Sequence, residues 1–500
     1  MARYTFDKQK IVSSLNGTIP LIYRFSYARL EDKMFINDVL ACIAQNLKKD
    51  FLASNLKYII QELVDNANRA LAKRVYFTRA GLDITNPSEY AAGMERFADE
   101  YMEREEEFVN ILQTGDRYVE IQFSVTDGYF TLYVKNKGLP TVEEMKRIQK
   151  RVDISATIRH TKDAFSELSD RTEGAGLGTA LSIMLLRRIT NNPPDMKPYM
   201  FYLDHDAEET IARVTIALNT LPEKLTEELS DTIAGEISTM PLYPENLSKL
   251  ERMITQEDIP LSKVAAVIER DPALTAELLK VINSAQYYLP QKVKNIMNAV
   301  SLIGTKGIRN LILSLGAKKI LERRYGNQEQ LWEHAYRCAY YAMTIAKEHK
   351  RKEMADDVYI GGILHDIGEI IIRSVDASLV SQITDYCRNK GINGDALEQL
   401  TVGCSHAKIG GHILRKWNFP EVLVAAVEYA SQPLIAPDEW KGIVEIVYVA
   451  DQLVMLQEKR ITVSSIEPTI FRKFEMDSVE TILQYAEKLY GMYQEQQGNI

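Results

Sequence analysis

The stretch GGILHDIGEIII, Gly361 to Ile372, sets His365 and Asp366 side by side in a run that is apolar but for Glu369. Two ionisable groups in such surroundings either pair with other groups or hold a metal, because an unpaired buried charge is costly. A divalent ion wants several N and O ligands, more than one helical turn supplies. Partners are therefore expected from other segments, and the chain offers His334 in LWEHAYRCAYYA and Asp451 in VYVADQLV. The sequence around all four reads as helix after helix from Leu221 onward, broken at short turns such as LYPEN, ERDPAL, YYLPQ and LIGTKG. The C-terminal part is expected to be all-α.

Upstream the pattern differs. From Asn55 to Lys73 the residues Leu56, Ile59, Leu63, Ala67 and Ala70 recur at helical spacing with no proline or glycine, which predicts an amphipathic helix. YVEIQFSVTDGYFTLYVKN alternates Val119, Ile121, Phe123 and Val125 with polar neighbours, turns at Asp127-Gly128 and resumes at Phe130, which predicts a hairpin. PYMFYLD and TIARVTIAL form a second alternating pair that ends near Leu218. The N-terminal part is thus expected to be α+β. Residues 87–113, acid-rich with Met94, Phe97, Tyr101 and Phe108 near one face, read as a helical insertion packed on its own domain.

Five hundred residues at 46% hydrophobic content suffice for more than one core. The formal charge of −9 is spread along the chain, with no basic face for a polyanion, so nucleic acid is not an expected partner. The four cysteines lie far apart without C-x-x-C spacing, which argues against a disulfide framework and a thiolate zinc site. No signal peptide and no stretch of about 18 apolar residues is visible, so a cytoplasmic protein without membrane insertion is expected.

In QELVDNANRALAKR, Glu62, Asn66, Arg69 and Lys73 stand three or four residues apart and share one helix face. Asn66 offers magnesium a neutral oxygen, Arg69 and Lys73 offer charge to phosphates, and Glu62 is placed to polarise a water. EGAGLGTALSIMLLRR adds Gly174, Gly176 and Gly178 ahead of a long apolar helix, where backbone N–H groups can approach an anion. A dinucleotide-binding reading fails, since the glycines follow a polar stretch, SATIRHTKDAFSELSDRT, and not a strand.

The order of these features resembles the GHKL ATPase superfamily, which includes the ATP-binding domains of histidine kinases: a helix with E-x-x-x-N, a hairpin ending in VKNKGLP, a polar lid, then GAGLG before a helix. The likeness covers about residues 40–218 and implies a helix/mixed-sheet sandwich, ATP and magnesium as cofactors, Asn66 as the magnesium ligand, and Gly174, Gly176 and Gly178 along the triphosphate. Asn136 stands where the family's aspartate receives the adenine amino group, and Gly138 follows it in the same box. Residues 1–66 contain no histidine, so the phosphoacceptor helix of an ordinary histidine autokinase is absent.

Farther on, IERDPALTAELLKVINSAQYYLP and NAVSLIGTKGIRNLILS resemble the opening of an HDOD domain, the HD-related output domain of bacterial signalling proteins, through Asp271-Pro272, Leu279, Asn283-Ser284-Ala285 and Ile303-Gly304. On that resemblance His334, His365, Asp366 and Asp451 match the H, HD and D positions of an HD-type metal site. Glu369 occupies the place of a lysine in active phosphodiesterases, where a carboxylate is expected to repel phosphate. The four residues are therefore read as a buried polar network first and as ligands of a divalent metal second, with His406 structural.

The domain reading is 1–218 GHKL-like with an insertion at 87–113, a helical linker at 219–235, an all-α HDOD/HD-like domain at 236–455 and terminal helices at 456–500. The function expected is a signal-transduction regulator that binds ATP/Mg and engages a partner signalling protein, with a homodimer one arrangement open to it. Its rivals are a GHKL-type Ser/Thr protein kinase, a metal-dependent HD phosphohydrolase, and a scaffold in which both sites are degenerate.

Overall fold

Asp127 and Gly128 both take positive φ, 53° and 79°, the backbone that a two-residue hairpin between twisted strands requires. The strands they join, β2 (Val119–Thr126) and β3 (Tyr129–Lys137), lie at the heart of a five-stranded sheet with β1 (Leu21–Phe25), β4 (Tyr199–Asp204) and β5 (Glu209–Ala217). The order is β1-β2-β3-β5-β4 and every pairing is antiparallel. The mixed sheet expected from the family likeness is thus corrected. Two neighbouring pairs are hairpins, and the excursion from β3 to β5 also returns the chain in the opposite sense.

The structure is a computed structural model that describes residues 4–16, 19–158, 164, 176–190, 197–219, 231–254, 259–283, 293–375, 377–390, 392 and 394–498. They fall into two units, residues 1–228 with 399–401 and residues 229–398 with 402–500. Gly174, Ser284, Ala285, most of the polar lid and residues 220–230 of the linker lie outside the described residues.

In the first unit the 28-residue helix Ala53–Ala80 buries Leu56, Ile59, Leu63, Ala67 and Leu71 and ends at Gly81, whose φ of 65° closes it in the left-handed conformation. The insertion is two helices, Pro87–Glu103 and Glu105–Thr114. The first is capped by the Asn86 side chain, which accepts from the Ser88 and Glu89 amides, and has proline at its first position. Phe97 and Phe108 are buried and Tyr101 stacks on Phe97, so the apolar face packs on its own unit.

All regular structure described in the second unit is helical. Its core joins residues from Ile233 to Val427, among them Leu278, Val300, Leu311, Ala339, Leu364, Ile371 and Val424. The helix Ile296–Tyr325 breaks at Gly304 (φ 72°, ψ 173°), the position of LIGTKG. Cys42, Cys338, Cys387 and Cys404 are free and buried. Among the described residues no helix is long and apolar enough to cross a membrane.

Candidate functional site

In the first unit, alternation along the strands puts Val134 and Asn136 of β3 on the same face as Thr210 and Ala212 of β5, since the pairs Val134–Ala212 and Asn136–Thr210 are in register. With Tyr199 and Phe201 of β4 they floor a cavity of about 390 Å3. One wall is the helix Ala53–Ala80, through Asn66, Arg69, Lys73 and Arg74, and another is the helix Val142–Thr157, through Glu144, Arg147 and Arg151. Met94, Phe97 and Tyr101 of the insertion line it too. Arg147 and Arg151 were not among the residues picked out by sequence.

The residues predicted for a nucleotide divide. Asn66, Arg69, Lys73 and Asn136 line the cavity. Asn66 Nδ2 donates to Glu62 Oε1 at 3.2 Å and to Thr179 Oγ1 at 3.4 Å, which turns its carbonyl oxygen away from them. Lys73, expected at a phosphate, is ion-paired within the cavity wall: its ammonium lies 2.8 Å from Glu144 Oε1 and 3.2 Å from the Tyr90 hydroxyl. Glu62 does not line the cavity, because it is buried where Gly178 passes over it; a Cβ at 178 would lie 2.1 Å from the Glu62 carboxylate. Gly176 opens the helix Gly176–Ile189. Gly138, at φ 121°, lies off the cavity beside Arg74, and its carbonyl accepts from Thr210 Oγ1 at 2.7 Å.

In the second unit His334, His365, Asp366 and Asp451 converge, carried by Glu329–Glu348, the junction between Ala355–Leu364 and Ile367–Val375, and Lys441–Gln457. His334 Nε2 lies 3.1 Å from Asp451 Oδ1 and 3.6 Å from Asp366 Oδ2. His365 Nε2 lies 3.2 Å from Asp366 Oδ1 and 3.4 Å from Asp451 Oδ1. His406, read as structural, comes within 3.4 Å of Asp366 Oδ1 through its own Nε2. Gly368 makes that approach possible: a Cβ there would meet the His406 carbonyl at 2.0 Å.

The other nitrogen of each ring is held from behind. His365 Nδ1 donates to the Gly362 carbonyl at 2.8 Å, His334 Nδ1 faces Glu458 Oε2 at 3.0 Å and His406 Nδ1 faces Glu398 Oε2 at 2.8 Å. This arrangement fixes the tautomer with Nε2 aimed at the carboxylates, as metal-binding histidines are held. His365 Nε2 is buried and makes no well-aligned hydrogen bond, although two carboxylates lie near it. The donor set therefore fits a divalent ion.

Without an ion the same groups form an imidazolium–carboxylate network. Burial alone would push the His334 imidazole down, but Asp451 and Glu458 lift it to about 9. His365 and His406 are raised against burial chiefly by Asp366 and Glu398. Burial favours protonated Asp366 and Asp451, yet the facing imidazoles hold both well below the usual range. Glu369, expected to repel a phosphate, is ion-paired. Its carboxylate accepts from Arg373 at 2.9 and 2.5 Å and lies 4.0 Å from Arg460, so its charge is already met.

Residues 240–433 match the model of the HDOD domain. The chain is 27% identical to an uncharacterized protein of Treponema pallidum (strain Nichols) over 492 residues, 98% of this chain and 95% of that one. It is 27% identical over 119 residues to the uncharacterized protein YuxH of Bacillus subtilis (strain 168), which is 24% of this chain and 28% of that protein. Among solved structures, an HDOD domain protein with unknown function from Geobacter sulfurreducens is similar at 25% identity and a TM-score of 0.40, covering 53% of this chain and 88% of its own. The helical unit, with its histidine–aspartate cluster, thus contains an HDOD domain over residues 240–433.

Proposed function

We propose that the N-terminal unit binds ATP with magnesium and that the HDOD domain engages a signalling protein, so that nucleotide occupancy regulates the interaction. The make-up of the cavity carries this reading. An apolar floor of a size that suits a nucleotide is faced by five basic side chains, Arg69, Lys73, Arg74, Arg147 and Arg151, against the one carboxylate of Glu144. Asn66 has its amide nitrogen engaged and its oxygen left for the metal. These features add to the GHKL likeness of the motifs around them. Regulation further requires that the two nucleotide states differ in affinity for the partner. Calorimetric titration of the full chain with ATP, with and without magnesium, tests the first step. Magnesium should tighten binding to the unmodified protein and leave Asn66→Ala unaffected; equal magnesium-dependent affinity for both would sink the assignment.

A second reading concerns the HD cluster, and the buried, unaligned Nε2 of His365 favours it. We propose that His334, His365, Asp366 and Asp451 hold a divalent ion, which supplies a Lewis acid able to activate water when bound. The protein's own part is to fix the imidazole tautomers through Gly362 and Glu458 and to neutralise Glu369 through Arg373 and Arg460. Metal analysis of purified protein should find a near-stoichiometric divalent ion that Asp366→Ala loses. Metal at background level would leave the ion-pair network alone. Phosphodiester hydrolysis that disappears with the metal would make the domain an enzyme.

A further inference from the structure

The helix Glu329–Glu348 brings more than His334 to the HD cluster. Cys338 stands four residues on, so both side chains leave the same face of that helix one turn apart. Cys338 is 0% exposed, and its sulfur lies 4.0 Å from the carbonyl of Val447, itself one turn before Asp451 on Lys441–Gln457. From a third side the backbone presses close: a Cβ at Gly362 would lie 2.6 Å from the Ala339 Cα and 3.2 Å from the Cys338 carbonyl carbon. The Gly362 carbonyl is the acceptor that orients His365. Cys338 thus sits where the helices that carry the cluster meet.

Two further observations connect this thiol with an ion. The His365 imidazole faces it: burial pushes the Cys338 thiol up, and that imidazole pulls it back. Independently of the cysteine, His365 Nε2 makes no well-aligned hydrogen bond, although the side chain is only 1% exposed. Buried polar atoms are nearly always satisfied, so a ring nitrogen left in this way calls for a ligand. Cysteine spacing argues against a zinc site built of thiolates, but one sulfur in a mixed donor set needs no second cysteine. A histidine and a cysteine four residues apart on one helix can reach a common ion.

We infer that Cys338 is a further ligand of the ion proposed for His334, His365, Asp366 and Asp451, and that its sulfur selects zinc, iron(II) or cobalt(II) over magnesium or manganese. The inference rests on the metal reading of the cluster and names the class of ion for it. Carboxylates and water suit magnesium and manganese, whereas a thiolate is a soft donor that favours the later metals. As the metal–sulfur bond forms, the S–H bond breaks and the proton leaves to solvent.

The test uses the full chain freed of metal and loaded with cobalt(II), whose bond to a thiolate absorbs in the near ultraviolet by charge transfer. The unmodified protein should develop that band as one equivalent binds. Cys338→Ser should lose the band and keep the weaker visible absorption of bound cobalt, while Cys42→Ser, Cys387→Ser and Cys404→Ser keep both. X-ray absorption of the zinc-loaded unmodified protein should find a sulfur at about 2.3 Å beside nitrogen and oxygen at about 2.0–2.2 Å, a result that does not depend on any variant folding. Cobalt and zinc bound with no charge-transfer band and no sulfur neighbour overturn the role of Cys338 and leave the metal reading standing. A band that survives in Cys338→Ser overturns that role as well. Magnesium or manganese displacing zinc at equal concentration overturns the selectivity. If neither cobalt nor zinc binds, the metal reading falls and this inference with it.

Discussion

Lys73 shows what a single residue's surroundings decide. Its spacing from Asn66 was legible, but its pairing was not, because Glu144 lies 71 residues on and only the packing of Val142–Thr157 brings it back. The same holds for Glu458 behind His334 and for Arg147 and Arg151 in the cavity: a polar helix face gives no signal of which basic residue turns inward. Glu144 has a shifted carboxyl. Burial would push its carboxyl up, but Lys73 and Arg74 outweigh burial and hold it below the ordinary 4.5. A folded value below the unfolded one means that stability from this group is fully present above about 4.5 and is lost as pH falls through the lower folded value. Glu144→Gln should therefore flatten the acid limb of the first unit's stability curve. It should also cost about 3 kcal/mol at neutral pH, since the buried Lys73 and Arg74 lose the carboxylate that pairs with both. Urea unfolding at several pH values reads both effects.

At the scale of elements, the hairpin around Asp127-Gly128 and the helix through Asn66 could be read directly, since each announces itself within about 20 residues through periodicity and turn chemistry. Strand β1 could not: five residues with Ile22 and Arg24 facing outward carry too little alternation, and β1 is defined by its pairing with β2 nearly 100 residues away. The antiparallel sense of the whole sheet is likewise a tertiary outcome. In the second unit the HDIG sequence disclosed His365 and Asp366, whereas the place of His406 depends on the crossing of Ile367–Val375 with His406–Lys416. That crossing hinges on Gly368, where a Cβ would lie 2.0 Å from the His406 carbonyl and 2.8 Å from the Gly410 nitrogen, backbone atoms that cannot yield as a side chain can. Gly368→Ala should thus push the helices apart at a cost of about 2 kcal/mol or more, as overpacking does. Melting of the variant should show a lowered Tm and, with the ion proposed for the HD cluster bound, a weaker hold on it; an unchanged Tm would mean that the two helices accommodate the added methyl.

For the molecule as a whole, the two units have separate cores, so a ligand of one should stabilise that one first. Magnesium and ATP at about 100 times the dissociation constant should add about 2.7 kcal/mol to the unit they bind. Hydrogen exchange on the full chain is expected to show the new protection within residues 1–228, concentrated in Ala53–Ala80 and β3. Protection confined to residues 229–500 would place the nucleotide elsewhere. Sequence alone pointed to two kinds of domain because periodicity changes from 2 to 3.6 near Leu221. Of the cavity floor it disclosed Asn136 alone, through the family likeness, and not Val134, Tyr199, Phe201, Thr210 or Ala212, which come from three strands of a sheet whose order only folding decides.

The buried thiols equip the protein with its own clocks. Cys42 lies in the first unit and Cys338, Cys387 and Cys404 in the second, none more than 6% exposed, and burial pushes the thiols of Cys42, Cys338 and Cys387 up, away from the reactive thiolate. A thiol reagent reaches them only when the surrounding segment opens, so the labelling rate, divided by that of a free thiol, reports the fraction of time spent open. One cysteine beside the HD cluster and one on the helix Leu30–Asn46 thus let each unit be timed separately in a single sample, with no introduced probe.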